Sequence, residues 1–498
     1  MPTPAIRNAR KAMHEARNYA QWSDAAQAYD ELAGHQRWKA TDQSSQYDYR
    51  AIRTRVERLR ELIASGDHHG LLFDLNEGIH GNMGGMGRLE LYHRARFGTK
   101  QLIVEYVDAI VDALDVIADP DIDDISIEDK LDFFRRAHHC FGQSALMMSG
   151  SGMLLYFHIG VVKALWEQGL LPTVLSGSSG GSFVGSIVAT HTDAELQKIF
   201  DPNYLVHKID PGEQPPGILQ RLRQPVLQVS EIKAIIARLV PDMTFQEAYD
   251  KTGRHLNISI SPAEAHQTSR LLNAVTSPNV LIREAILASA AVPGVYPPVT
   301  LAAKDKDGKK KQYLPTRRWV DGAVSDDLPA KRLARLYGVN HFIVSQTNPH
   351  VIPFISDARR RNEIGNVLRI AATRTARVWL NAGATLLSRP LSRRPRLNRA
   401  TNIVLSVLNQ DYAGDINILP PYKFYNPVRL LTHLSEAEIA ELIAMGERAA
   451  WPKLEMVRIQ TRIGRHLESI RRDYEALATY APAQRKRPAA HIRTTAAG

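Results

Sequence analysis

The stretch SALMMSGSGMLLYFHIGVVKALWEQGLLPTVLSGSSGGSFVGSIVAT, residues 144–190, holds two successive units in which a short apolar run meets a glycine turn and then a helical stretch. Residues 144–148 and 173–176 read as strands, and apolar residues recur at helical spacing after each turn. In the second unit, Gly177-Ser178-Ser179-Gly180-Gly181 is a G-x-S-x-G sequence placed after a strand ending at Ser176 and before a helix from Ser182. This is the context of a nucleophile elbow. A serine on so sharp a turn projects its hydroxyl clear of the sheet, and the following helix sets its N-terminal dipole beside a developing oxyanion. Ser179 is therefore the candidate nucleophile. A plain Gly-Ser loop is the alternative, and Ser178, one residue off the pattern, is the rival serine.

The first unit carries Ser149-Gly150-Ser151-Gly152-Met153, whose amides can converge on a small anion. A phosphate-binding turn of a dinucleotide fold would want the same feature, yet Met153, Leu154 and Leu155 stand where that fold needs its further glycine. An oxyanion hole beside Ser179, made by Gly150, Ser151, Gly152 and Met153, is the better account. The nucleophile also needs a base. None of the histidines after Ser179 sits in a partner context, and His158 lies inside the first helix. Arg317-Arg318-Trp319-Val320-Asp321-Gly322-Ala323 instead reads as a strand ending on an aspartate before a Gly-Ala turn, suited to projecting Asp321 from the carboxyl edge of the sheet. An ordinary Asp-Gly turn is the competing reading.

Around this segment the period of the sequence changes. Residues 6–115 are helical in pattern, interrupted by a glycine-rich turn at 76–87, where a phosphate loop would lack its strand and its Gly-Lys-Ser/Thr. The acidic run 119–129 reads as a linker that ends in a capping box, Ser126 with Asp129. Further apolar runs at 256–261 and 341–345 alternate with helical stretches, which implies a largely parallel, helix-covered sheet. Asp307-Gly308, inside a lysine-rich stretch, predicts a type I′ hairpin turn. Residues 359–399 hold eleven arginines against Glu363, interleaved with Ile364, Val367, Leu368, Val378, Trp379 and Leu380. Ser435 with Glu438 caps a later helix whose apolar face is Ile439, Leu442 and Ile443. The expected organisation is a helical N-terminal region at 1–140, an α/β core at 141–350, a basic amphipathic segment with returning strands and C-terminal helices at 351–480, and a disordered tail at 481–498.

The 498 residues include 63 Lys or Arg, 52 Asp or Glu and 44% hydrophobic residues, a globular composition with a formal net charge of +11. The single cysteine, Cys140, excludes an internal disulfide, argues against a zinc cluster and suits a reducing compartment. The first residues are basic without an apolar core, so no secretory signal is expected, and the most apolar stretches are broken by charges. A cytoplasmic protein, soluble or held at a membrane surface, is the expectation.

The Gly150–Gly152 turn, the Gly177–Gly181 elbow and Asp321-Gly322-Ala323, in that order, resemble the three signatures of the patatin-like phospholipase family. The segment from His158 to Leu165 and the run Ala288-Ser289-Ala290-Ala291-Val292-Pro293-Gly294-Val295-Tyr296-Pro297-Pro298 match it too. The likeness covers about 141–348, and the helical region before it resembles the extension of the branch with fungal and plant triacylglycerol lipases. The resemblance implies a three-layer α/β/α core with a mostly parallel sheet, flanked by helical N-terminal and C-terminal additions. It also implies a Ser179–Asp321 dyad without histidine, an oxyanion hole at residues 150–153, an acyl-enzyme released by water, and no metal or organic cofactor. Many family members carry a basic residue after the glycine turn, where this chain has Leu154 and Leu155; that departure favours neutral lipid over phosphate-bearing substrate. The expected partners are glycerolipid substrate and an anionic membrane or lipid-droplet surface contacted through residues 359–399, with no nucleic acid. Two competing readings are acyl transfer to a lysophospholipid, for which His69 and Asp74 supply a His-x-x-x-x-Asp pattern, and a non-catalytic scaffold at a lipid surface, against which the intact Ser179 and Asp321 speak.

Overall fold

In the computed structural model, residues 3–201, 204–205, 227–264, 267–324, 326–348, 414–421 and 434–480 are described. The basic segment 359–399 and the tail 481–498 lie outside the described residues. The strands are β1 Gln143–Met148, β2 Val174–Gly177, β3 His255–Pro262, β4 Arg270–Leu272, β5 Leu301–Lys304, β6 Lys310–Tyr313, β7 Trp319–Asp321, β8 Val339–Ser345 and β9 Ile416–Ile418, and β1, β2, β3 and β8 form where the sequence alternates or runs apolar. The main sheet has the order β4-β3-β2-β1-β8-β9, with β7 also paired to β3. β1, β2, β3, β8 and β9 are mutually parallel neighbours, while β4 and β7 run antiparallel to β3.

Period-two alternation makes this sheet the middle layer. On β3, Leu256, Ile258 and Ile260 enter the large core, whereas Asn257, Ser259 and Ser261 point to the other face. On β1, Leu146 and Met148 join that large core, while Ala145 and Met147 pack with Leu333 of the Ala330–Tyr337 helix. Helices therefore cover both faces, and the three-layer α/β/α architecture with a mostly parallel sheet follows.

The helical region before the sheet comprises α1 Pro4–Glu15, α2 Tyr19–Leu32, α3 His35–Ala40, α4 Tyr49–Ser65, α5 His68–Asn76, α6 Leu89–His93, α7 Gln101–Ala118 and α8 Ile127–Phe141. Helix α7 is the most deeply buried of these, with Leu102, Ile103, Tyr106, Ile110, Leu114 and Ile117 all in the core. The C-terminal helix Glu436–Tyr480 packs against α7, α8 and α9 (Leu155–Glu167), so one continuous core runs from Ala16 to Tyr474. Its crossing with α9 is backbone against backbone. A methyl group on Gly160 would strike the Ile443 carbonyl oxygen, and one on Gly446 would strike the Phe157 carbonyl oxygen. No helix among the described residues is long and apolar enough to cross a membrane.

Local details differ from expectation in three places. Helix α10 is Gly180–Thr190, so it begins two residues before Ser182 and makes Ser179 its N-cap. The Ser126 hydroxyl accepts from the Asp129 amide at 3.1 Å, but the Asp129 carboxylate reaches that hydroxyl at 2.6 Å and not the Ser126 backbone, because an Asp is one methylene short of the Glu that closes a box. Ser435 and Glu438 do close theirs, at 3.4 Å and 2.9 Å. The β5–β6 hairpin is not type I′: Gly308 has φ +75° while Asp307 is not among the residues of positive φ, and the Gly308 amide bonds to the Asp305 carbonyl at 3.0 Å. That is a four-residue turn ending on a left-handed glycine, which only the glycine occupies without strain.

Candidate active site

The elbow is built by β2 and α10. Ser179 has φ 49° and ψ −122°, a strained backbone for a residue with a side chain. The close approach of the flanking turns explains the glycines: a methyl on Gly177 would strike the Gly181 backbone, and one on Gly181 would strike the Met148 carbonyl. Strain of this kind persists when the surroundings hold it. Here the Ser179 amide donates to Ser289 Oγ at 2.9 Å, and the Ser289 hydroxyl donates to the Ser259 carbonyl at 2.7 Å. Ser289 ends the Ile282–Ser289 helix, so that helix pins the elbow from the side.

The register of the sheet places Asp321 beside it. Ile258 pairs with Gly177 of β2 and Leu272 of β4, so β2 and β4 flank β3 on opposite sides. Ile260 pairs with Arg270 of β4 and Asp321 of β7, so β7 lies on the β2 side. β7 thus continues the row that β2 vacates when its chain turns into the elbow, and its last residue stands two positions, about 7 Å, beyond the Gly177 row. The carboxyl edge was the expected location; the antiparallel direction of the strand was not part of that expectation. Asp321 is buried, at 5% exposure, with its amide donating to the Ala291 carbonyl at 3.0 Å and its Oδ1 accepting from the Ala323 amide at 2.8 Å. Burial pushes its carboxyl up to about 7, helped by the nearby Asp327 charge and opposed by the Ala323 amide and a hydrogen bond from the Ser179 side chain.

The first glycine turn lies against both. A methyl on Gly150 would come within 2.9 Å of Ala323 Cβ and 3.8 Å of Ser179 Cβ, and one on Gly180 would strike Ser151 Oγ. The four amides expected to face an oxyanion are not equivalent. Gly150 N–H donates to Asp327 Oδ1 at 2.8 Å, whereas the amides of Ser151, Gly152 and Met153 donate to no described residue. The turn is braced from below by His158 of α9, fully buried, whose Nε2 lies 3.1 Å from the Ser149 carbonyl and whose Nδ1 lies 2.6 Å from Ser345 Oγ. Burial pushes that imidazole down to about 4, so it is neutral at ordinary pH and its bonds serve the turn.

The serine that rivals Ser179 has a different fate. Ser178 is fully buried and its hydroxyl donates to Asp327 Oδ1. Of the two serines only Ser179, at 7% exposure, retains accessible surface. Asp327 and Ser289 were not singled out from sequence. The signal for Asp327 was the Asp326-Asp327-Leu328-Pro329 run just after the Asp321 turn; a serine within Ala288–Ala291 offered none, because its partner is a backbone amide. His69 and Asp74 both lie on α5, where five positions along a helix put them on opposite faces, and Asp74 pairs with Arg58 at 3.5 Å.

Residues 3–139 match the model of a domain of unknown function (DUF3336), and residues 146–334 match that of patatin-like phospholipase. A patatin-like phospholipase domain-containing protein of Cryptococcus neoformans is 33% identical over 92% of this chain and 54% of its own length. Triacylglycerol lipase SDP1L of Arabidopsis thaliana is 31% identical over 97% of this chain and 62% of its own length. Triacylglycerol lipase ptl3 of Schizosaccharomyces pombe is 31% identical over 90% of this chain and 93% of its own length. The chain spans about half the length of the Cryptococcus relatives it matches. With likeness sustained over nearly the whole of the fission-yeast protein, and with the elbow and the Asp321 turn inside the matched region, the chain belongs to the patatin-like phospholipase family.

Proposed function

We propose that this protein is a serine acyl-ester hydrolase, a lipase or phospholipase that releases fatty acids from glycerolipids through a Ser179–Asp321 dyad. The observation that carries the reading is the strained Ser179 at a helix N-terminus, beside a buried carboxyl whose proton affinity lies near neutrality. In this reading ionised Asp321 takes the Ser179 hydroxyl proton as Oγ attacks the ester carbonyl carbon. The carbonyl oxygen becomes an oxyanion facing the open amides of Ser151, Gly152 and Met153, while Gly150 anchors their turn. Collapse breaks the ester bond, and the leaving alkoxide takes the proton from Asp321. Water then attacks the acyl-enzyme, gives a proton to Asp321, and the fatty acid leaves as Ser179 Oγ recovers it. The names of the two triacylglycerol lipases, and Leu154 and Leu155 in place of a basic residue, favour a neutral glycerolipid.

The lipid-surface part of the reading has two supports. The basic amphipathic segment 359–399, outside the described residues, suits anionic headgroups by its sequence. Within the described residues, the uncharged loop after Ser289 exposes Pro293, Val295, Pro297 and Pro298 next to Ala291, the residue that holds the Asp321 amide. Fatty-acid release from mixed micelles of triacylglycerol and phospholipid, with Ser179→Ala and fluorophosphonate labelling beside it, tests the proposal. Loss of activity and of labelling in Ser179→Ala is expected; full activity in that variant, or labelling at Ser178, overturns it.

A further inference from the structure

Asp327 is completely buried, yet no step above uses it. One of its oxygens, Oδ1, accepts from two turns that are far apart in sequence: the Gly150 amide of the first glycine turn at 2.8 Å and the Ser178 hydroxyl of the elbow. The Asn348 side chain, just past β8, hydrogen-bonds the same carboxyl group. We infer that Asp327 is a positioning residue for the hydrolysis: one carboxylate oxygen clamps the turn whose amides face the oxyanion against the turn that carries Ser179. The inference rests on the Ser179–Asp321 reading and adds to it a residue that never touches substrate.

The clamp explains the arrangement of donors around it. An amide stabilises an oxyanion only when held at hydrogen-bond distance from where that oxygen forms, and a displacement of about 1 Å can cost about 10²-fold in rate. The first turn is a short glycine-rich connection, three of whose amides donate to no described residue, so among the described residues few contacts set its position relative to Ser179. His158 holds its underside through Ser149, and Asp327 holds its Gly150 end to the residue immediately before the nucleophile. The alternative, that Ser178 and Asp327 are themselves the reacting pair, fails on access, because neither has any exposed surface.

The clamp also carries charge. Among the described residues, Asp321 and Asp326 are the ionisable groups that act on this region together with Asp327, and Asp326 is paired with Arg332 at 3.2 Å. Asp327 in its ionised form raises the proton affinity of Asp321. Removing the charge while keeping the acceptor therefore separates the two effects. In Asp327→Asn, the amide oxygen can still accept from Gly150 and Ser178; in Asp327→Ala nothing can.

The test compares wild type, Asp327→Asn, Asp327→Ala and Ser179→Ala on a soluble short-chain nitrophenyl ester from about pH 5 to about 9, with thermal melting alongside. Asp327→Ala is expected to lose about 10²-fold in kcat with KM little changed. Asp327→Asn is expected to recover most of that loss and to move the acid limb of kcat/KM to lower pH. Wild-type kcat in Asp327→Ala, or an Asp327→Asn variant as slow as Asp327→Ala with an unmoved acid limb, overturns the inference. If Asp327→Ala does not fold, the acid limb of Asp327→Asn decides: moved supports the role, unmoved overturns it. An inactive Ser179→Ala beside a fully active Asp327→Ala sinks the clamp alone, whereas an active Ser179→Ala sinks the dyad and the clamp with it.

Discussion

Replacing Asp321 by asparagine should stabilise the protein while it removes the activity, and the two effects have one cause. Burial raises this carboxyl from 3.8 to about 7, so its ionised form is about 4 kcal/mol costlier in the folded protein than in the unfolded chain. The sign follows from where each state holds its proton. Folded Asp321 stays protonated up to about pH 7, whereas the unfolded chain releases the proton near 4, so the group favours folding at low pH and that contribution is lost as pH rises between those values. Asparagine does not ionise, and its oxygen can still accept from the Ala323 amide. The stability of Asp321→Asn relative to wild type should therefore grow across this window and level off above pH 7 at no more than about 4 kcal/mol. Its kcat should fall by about 10²- to 10⁴-fold, the range for loss of a general base. Wild-type kcat/KM should itself decline below about pH 7 as Asp321 takes up its proton. Urea denaturation of both proteins at a series of pH values, beside ester hydrolysis, gives the two readouts. A stability difference that does not vary with pH, or an Asp321→Asn enzyme with near wild-type kcat, would refute the reasoning.

Three further outcomes are expected. Gly152→Val should lower kcat by about 10²-fold with little change in KM, since it disturbs the open amides; a raised KM with kcat intact would make the turn a substrate-binding loop. Gly160→Ala should lower the melting temperature, with an overpacking cost of about 1–3 kcal/mol or more, because its methyl meets the Ile443 carbonyl across the helix crossing; an unchanged melting curve would contradict the crossing. Replacing Arg369, Arg374 and Arg377 together by glutamine should weaken co-sedimentation with anionic vesicles and reduce its salt sensitivity, and unchanged sedimentation would move the lipid contact to another surface such as the Pro293–Pro298 loop.

Sequence alone reached the elements that depend on neighbours in the chain. The alternation of apolar runs and helical stretches specified the core strands β1, β2, β3 and β8, because period and turn residues act locally. The G-x-S-x-G elbow was legible because the turn, its glycines and its serine are contiguous, and the Asp321 turn because strand and aspartate are adjacent. Even there the start of α10 was two residues off, because its first two positions lie so close to Ser151 and the Met148 carbonyl that only glycine fits there.

Tertiary structure decided how these pieces meet. That Asp321 stands at the end of β2 depends on β7 running antiparallel along β3 in the row β2 leaves, a register no local pattern specifies. Ser178 and Ser179 are near equivalents in sequence; burial and the Asp327 carboxyl separate them. Gly150 and Gly152 likewise share one motif, yet one amide is committed to Asp327 and the other donates to no described residue. Gly160 looks like a defect in a helix until Gly446, 286 positions later, crosses it. The physical reason is common to all four: a residue's local conformation depends on nearby chain, but its proton affinity, exposure and hydrogen-bond partners depend on groups that folding brings from far along it.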